Sequence, residues 1–210
     1  MRNVHPDIRS QPITNIHTRP FPRLSSTGRT TYFSSSSSVG TIANITAIDG
    51  TDGIRMTRVD TGALALYNSR GASSLWRLAK NNFKAGDKWT VLFNIRASQP
   101  DTSITLQIGQ GSGSQSIGGL NMNYTFGTDV TTVRRVFTFT QEHVDLSGTA
   151  FLKWQPSSLA TVGEWFELSS VMVVKGNYTG SFASGASTNW KWTDEVNNSE
   201  SIGYPIGGTI

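Results

Sequence analysis

The chain has no cysteine. That excludes a disulfide framework, a thiolate zinc site and a cysteine nucleophile, so folding rests on packing and hydrogen bonds. Charge is scarce too. Asp, Glu, Lys and Arg make up 15% of the chain, against about 25% in an average globular domain, and long amphipathic helices need more Glu and Lys than this. Histidine occurs three times, at His5, His17 and His143, with no metal-type spacing and no Ser/His/Asp constellation around any of them. No apolar run approaches the roughly 18 residues of a membrane span. The opening MRNVHPDIRSQPITNIHTRPFPR lacks the apolar core of a secretory signal. We therefore expect no membrane insertion, synthesis in the cytoplasm without secretion, and no glycosylation at the sequons beginning at Asn44, Asn123, Asn177 and Asn197.

What is abundant points to β structure. The chain carries 21 Gly, six Trp and ten Phe among many Ser and Thr. Its 210 residues and 22.8 kDa allow one well-buried core and not two large ones. Residues 1–38 stand apart: Pro6, Pro12, Pro20 and Pro22 punctuate a basic stretch that ends in the Ser34 to Ser38 run. Proline fixes φ and removes a donor, so this is read as an extended arm. Arg2, Arg9, Arg19, Arg23 and Arg29 concentrate the chain's positive excess there, with Asp7 as the only acid in the first 30 residues. A basic arm suits an acidic protein groove or nucleic acid. The aromatics interleaved with cations that nucleic-acid binding needs are missing, so the protein groove is preferred.

From Val39 to Lys175 short period-two segments alternate with Gly, Asp, Asn and Ser turns, the pattern of an all-β sandwich. Trp89, Val91, Phe93 and Ile95 share one face and mark core. Ile104, Leu106 and Ile108 alternate in the same way, and Val133, Phe137 and Phe139 line up with Arg135. Near the end, Phe166, Leu168, Ser170 and Met172 alternate against Trp165, Glu167, Ser169 and Val171. Weaker strands are expected over 41–48, 54–59, 63–67, 74–78, 120–125 and 150–154, and a loop over 109–119. The fold class is therefore all-β: a jelly-roll β-sandwich over 39–175, an N-terminal arm over 1–38 and a C-terminal extension over 176–210.

Two stretches carry resemblances. Ala85-Gly86-Asp87 before an aromatic strand, and Gly163-Glu164-Trp165-Phe166 opening a late one, resemble the frame of jelly-roll carbohydrate-binding modules with the galactose-binding-like fold. Many proteins with different functions share that frame, so it bears on fold. Residues 176–205 are similar to the closing segment of minor tail proteins from phages of actinobacteria. The Tyr-Thr-Gly opening maps to Tyr178-Thr179-Gly180, the aromatic-x-Trp-Thr core to Trp190-Lys191-Trp192-Thr193, and the Asn-x-Ser-x-Ser ending to Asn197, Ser199 and Ser201. The chain departs from that family at Phe182-Ala183-Ser184-Gly185, where a Phe-Asp-Gly-Asp turn is usual, and at Asp194-Glu195. The resemblance implies a virion protein, tail favoured over capsid, that contacts other virion structural proteins and forms a homo-oligomer, with a trimer favoured as in fibres and spikes.

No catalytic residues emerge. Glycan-cleaving enzymes place two carboxyls about 5 to 9.5 Å apart, whereas Glu164 and Glu167 fall on opposite faces of the late strand and Glu142 and Asp145 fall in a turn. Asp49-Gly50-Thr51-Asp52-Gly53 is too short for a calcium loop of the EF type and reads as a hairpin turn. No cofactor and no metal is expected. Tyr67, Trp76, Tyr124 and Trp154, with Trp165 a weaker candidate, are the aromatics able to stack on a pyranose ring as a carbohydrate platform. Trp190 and Trp192 lie in a segment too polar to form its own core, so they join the arm arginines as candidate assembly contacts. The leading reading is a non-enzymatic minor tail protein that aids attachment to host-surface glycan. The alternatives are a capsid decoration protein and a carbohydrate-binding module of a glycan-active protein.

Overall fold

Trp89, Val91, Phe93 and Ile95 are all buried on one face of a single strand in this computed structural model, so the alternation in the sequence sets the core side directly. The structure describes residues 13–15, 33–35, 38–47, 50, 52–68, 84–110, 115–116, 122–142, 150–182, 190–192 and 201–203. At 13–15, 33–35, 67–68, 108–110, 115–116, 150–151, 190–192 and 201–203 the description covers the backbone alone. In chain order the strands are β1 (Ile13–Asn15), β2 (Phe33–Ser35), β3 (Gly40–Thr46), β4 (Asp52–Arg58), β5 (Leu66–Asn68), β6 (Lys88–Ala97), β7 (Thr102–Gln110), β8 (Gln115–Ser116), β9 (Met122–Phe126), β10 (Thr131–Thr138), β11 (Ala150–Pro156), β12 (Trp165–Lys175), β13 (Trp190–Trp192) and β14 (Ser201–Gly203).

These strands form two antiparallel sheets, a jelly-roll sandwich. The eight-stranded sheet runs β10-β6-β12-β1-β14-β13, with β4 also on β12 and β3 on β4. The six-stranded sheet runs β2-β5-β11-β7-β8, with β9 also on β7. Between them lie Ile54, Met56, Leu66, Phe93, Ile104, Leu106, Leu152, Trp154, Phe166 and Leu168, all fully buried. Phe93 meets the edge-on rings of Trp154 at 5.7 Å and Tyr124 at 6.5 Å, the T-shaped arrangement favoured by the ring quadrupole.

The turn read at residues 49–53 is the β3–β4 hairpin. Gly50 takes φ +78°, and its N–H donates to the Ala47 carbonyl at 2.8 Å, a conformation that glycine adopts without steric cost. Arg58 is a buried cation whose described partners are carbonyls: Nε donates to Leu159 O at 2.7 Å and Nη1 to Asp60 O and Gly62 O at 2.8 and 3.0 Å. It ties the turn after β4 to the loop before β12.

Several expectations are corrected. The last strand does not alternate throughout. Ser170 takes φ +52°, and the register against β6 shifts between Ser169 and Met172. This β-bulge flips the faces. Phe166 and Leu168 face the core before it, Val171 and Val173 after it, and Met172 is moved to the outer side. Within the arm, the described strand β1 pairs with β12 and β14, and β2 with β5, in the same chain. The C-terminal extension likewise returns, with β14 pairing β1 and β13. The 109–119 stretch contains the short strand β8, paired back onto β7. The expected strand at 74–78 lies outside the described residues.

Candidate outer-face sites

Each sheet has one face in the core and one facing away from it. On the outer face of the six-stranded sheet, strand pairing assembles a lattice of amides and hydroxyls: Gln155 beside Thr105 beside Asn123, then Ser103 beside Thr125. Ile104 and Leu106 point inward, so Ser103, Thr105 and Gln107 point outward, each half-buried, while Asn123 and Thr125 are exposed. Thr105 Oγ1 donates to Asn123 Oδ1 at 2.7 Å. At the end of this face Lys153, opposite Gln107, is 6% exposed, so the face is open over the amide rows and closed there.

Carbohydrate candidates separate on this geometry. Trp154 has no exposed surface and packs on Phe93 in the core, so the reading of its ring as a sugar platform is corrected: it shares the inward parity of Leu152. Tyr124 is half-buried against the core. Its hydroxyl donates to Met122 Sδ at 3.3 Å, and burial, only partly opposed by the positive charge of Arg135, raises its pKa above the ordinary tyrosine value. Tyr67 lies in β5 with its backbone opposite Ser34 and Lys153. Trp76, Arg2, Arg9, Arg19 and Arg23 lie outside the described residues. Trp190 and Trp192 form the ends of β13 at the margin of the eight-stranded sheet.

The outer face of the eight-stranded sheet is divided by the Ser170 bulge. On one side, Glu167 stands between Arg96 of β6 and Arg55 of β4 in a single cross-strand row. Its Oε1 accepts from Arg55 Nε at 2.9 Å and from Arg55 Nη2, and its Oε2 accepts from Arg96 Nε. The two guanidinium carbons lie 4.2 and 5.5 Å from the centroid of the Trp165 ring. Trp165 therefore serves as a cation–π support, and Arg55 takes the ring face that a sugar would need. Glu164 turns away: its carboxylate accepts from the Thr161 N–H at 2.9 Å, so the two glutamates do not converge on one substrate.

Beyond the bulge the same face is apolar and covered. Leu92, Met172 and Val174 lie under Tyr178, with Phe182 beside them. A strap over 176–182 holds this cover down. Thr90 Oγ1 donates to Gly176 O at 2.6 Å and accepts from Tyr178 N–H at 2.9 Å, Tyr178 OH donates to Ser181 O at 2.6 Å, and Arg134 Nη2 donates to Gly180 O at 2.7 Å. A Cβ on Gly180 would come within 2.4 Å of the Tyr178 hydroxyl oxygen. The Tyr178-Thr179-Gly180 signature thus has a packing reason: the ring lies where only a glycine leaves room. Burial, partly offset by the charge of Arg134, raises the Tyr178 pKa as well.

No family model matches the chain, and no curated protein matches it. Among solved structures it is similar to an exo-β-agarase, at 10% identity and a TM-score of 0.50, over 74% of this chain and 24% of that one. It is also similar to the CBM22-1 xylan-binding domain of a Paenibacillus barcinonensis protein, at 9% identity and TM-score 0.47 over 80% and 96% of the two chains. A third similarity is to the enzymatically active domain of bacteriophage CBA120 tailspike protein 4, at 11% identity and TM-score 0.48 over 71% and 20%. What is shared is the fold. At such identities a likeness carries architecture and not activity.

Proposed function

We propose that this chain is a non-catalytic glycan-recognition module of a tailed-phage virion, a minor tail protein that helps the particle hold the host surface. The observation that carries the glycan part is the amide and hydroxyl lattice of Gln155, Thr105, Asn123, Ser103 and Thr125 on an outer sheet face. Sugar hydroxyls exchange hydrogen bonds with such groups, and a few placed polar groups on a rigid scaffold set orientation. The tail part is supported by the closing segment, where Tyr178, Thr179 and Gly180 match the minor-tail pattern and are built into the sandwich as its strap.

A second reading has its own support. The jelly-roll match to the agarase takes in 24% of that chain, so this fold also occurs as one part of a larger glycan-active protein, and this chain would then be the binding module of such a protein. One experiment separates the readings. Particles are labelled with antibody to the protein, and the purified chain is tested for retention on neutral host cell-wall polysaccharide. Tail labelling together with retention supports the proposal, head labelling replaces it with a capsid decoration role, and retention without any particle label favours the second reading. Replacing Gln155 and Asn123 together by Ala is expected to weaken retention roughly tenfold, at about 0.5–1.5 kcal/mol per hydrogen bond. Unchanged retention would refute this face as the glycan site.

A further inference from the structure

We infer that the outer face of the eight-stranded sheet holds a second site, for the anionic groups of an acidic polysaccharide, in which Arg55 and Arg96 bind the anion and Glu167 and Trp165 position them. The inference goes beyond the amide face on the other sheet. It rests on the glycan reading only in the choice of macromolecule.

Charge balance comes first. Two guanidinium groups share one carboxylate, so the row Arg96–Glu167–Arg55 keeps one positive charge. Glu167 is almost entirely enclosed, with 4% of its side chain exposed, while Arg55 is 37% and Arg96 21% exposed. The negative partner is thus sunk beneath the surface and the positive ones reach out of it.

Donor accounting follows. A guanidinium has five N–H donors in a planar fork. Arg96 spends Nε on Glu167, and Arg55 spends Nε and one Nη2 hydrogen. The terminal nitrogens of Arg96 and the Nη1 of Arg55 are not engaged by Glu167. They are the edges that recognise carboxylate or phosphate oxygens in pairs. Cation–π contact with Trp165 and the ion pairs with Glu167 fix both planes before any ligand arrives, which lowers the ordering cost of binding.

The surroundings form a seat. Gly53 and Ser169 occupy the next cross-strand row beside the Arg–Glu–Arg row, and Ala43 flanks Arg55, so no bulky side chain stands over the arginines from those positions. Arg96 and Glu167 line a shallow surface depression together with Ala47, Asn94, Val130 and Ser169. Thr132 Oγ1 donates to Asn94 Oδ1 at 2.8 Å next to it, a hydroxyl and amide pair of the kind that sugar hydroxyls meet. A protein partner fits less well, because interface anchors fill dry apolar pockets. Here Arg55 lies over the one aromatic ring of the site at 4.2 Å.

The test uses the full chain against three immobilised probes: polygalacturonate for a carboxylate source, poly(glycerol phosphate) for a phosphate source, and neutral xylan. Binding to at least one polyanion is expected, with Arg55→Gln and Arg96→Gln each weakening it roughly tenfold, the scale of a charge-assisted hydrogen-bond pair. Lys88→Gln, the same charge change at an exposed site on another part of the sheet, is expected to weaken it less than about twofold. Which polyanion is preferred identifies the source of the anion. The proposal is overturned if the parent binds neither polyanion, if the arginine variants bind as the parent does, or if Lys88→Gln loses as much. Should Arg96→Gln fail to fold, Arg96→Gln combined with Glu167→Gln restores the charge balance and is read in its place. Xylan retention reports the amide face separately: its loss with polyanion binding intact defeats the neutral-glycan site alone, and the reverse defeats this one alone.

Discussion

The two halves of β12 present opposite chemistry to the same side of the same sheet. Before Ser170 the outward residues are Trp165, Glu167 and Ser169, with Glu167 ion-paired across strands to Arg55 and Arg96 and Trp165 in cation–π contact with both. After it they are Met172 and Val174, apolar and roofed by Tyr178. One strand thus supports a surface site and a second small core, and a single extra residue separates them. What differs is how each half meets water. The first half satisfies its charges by pairing and leaves guanidinium edges outside, whereas the second removes about three side chains' worth of apolar surface by folding the following segment back over it.

The largest effect is expected where the roof is removed. Tyr178→Ala deletes the ring that covers Leu92, Met172 and Val174 and the hydrogen bond to Ser181 O, and should cost about 3 kcal/mol, as truncations of buried aromatics do. Chemical denaturation measures the loss. Binding of a dye specific for exposed apolar surface should rise at the same time, because the sandwich beneath stays folded. A loss of stability without dye uptake would mean that the strap is not what covers this half.

Charge should behave differently in the other half. Glu167→Gln leaves Arg55 and Arg96 facing each other without their shared anion, and should cost about 2 kcal/mol, below the range for fully buried pairs because Arg55 stays more than a third exposed. Here dye binding should not change, and added salt should recover part of the loss by screening the two cations. Salt-insensitive destabilisation would show that Glu167 acts through packing and not through charge.

This division of β12 was only half legible in the sequence. The inward faces of β6 and β7 follow from alternation alone, because nothing interrupts Trp89 to Ile95 or Ile104 to Leu106, and that of β10 follows from Val133 and Phe137 although Arg135 stands between them. The same rule misassigned Met172, since the bulge sits at a serine and not at a glycine that would have marked it. Arg55, Arg96 and Glu167 each stand at an outward position that alternation could have placed. They lie 71 and 112 residues apart in the chain, though, and only the order β6-β12-β4 makes them neighbours. Trp154 misleads for a related reason: the sequence of β11 has apolar residues at both parities, Phe151 on one and Leu152 and Trp154 on the other, and the pairing of Trp154 with the buried Leu106 of β7 is what puts its ring in the core. The strap reads as lying outside the sandwich because strand alternation ends at Lys175, whereas its packing depends on Gly180 and Thr90, which carry no periodic signal.

The smallest effect tests the divider itself. Ser170 holds a left-handed backbone at φ +52°, which costs an L residue about 1 kcal/mol that glycine does not pay. Glycine also loses more freedom on folding, by a comparable amount. Ser170→Gly should therefore lie within about 0.5 kcal/mol of the parent and keep both halves as they are. A β-branched residue resists this conformation more strongly, so Ser170→Val should cost about 1 kcal/mol and begin to couple the halves, loosening the roof over Met172 as the strand tries to straighten. Amide exchange at Met172 and Val174 reads that coupling. If valine leaves exchange there unchanged, the bulge does not govern which face Met172 and Val174 take, and the tertiary contacts of Tyr178 hold them outward without it.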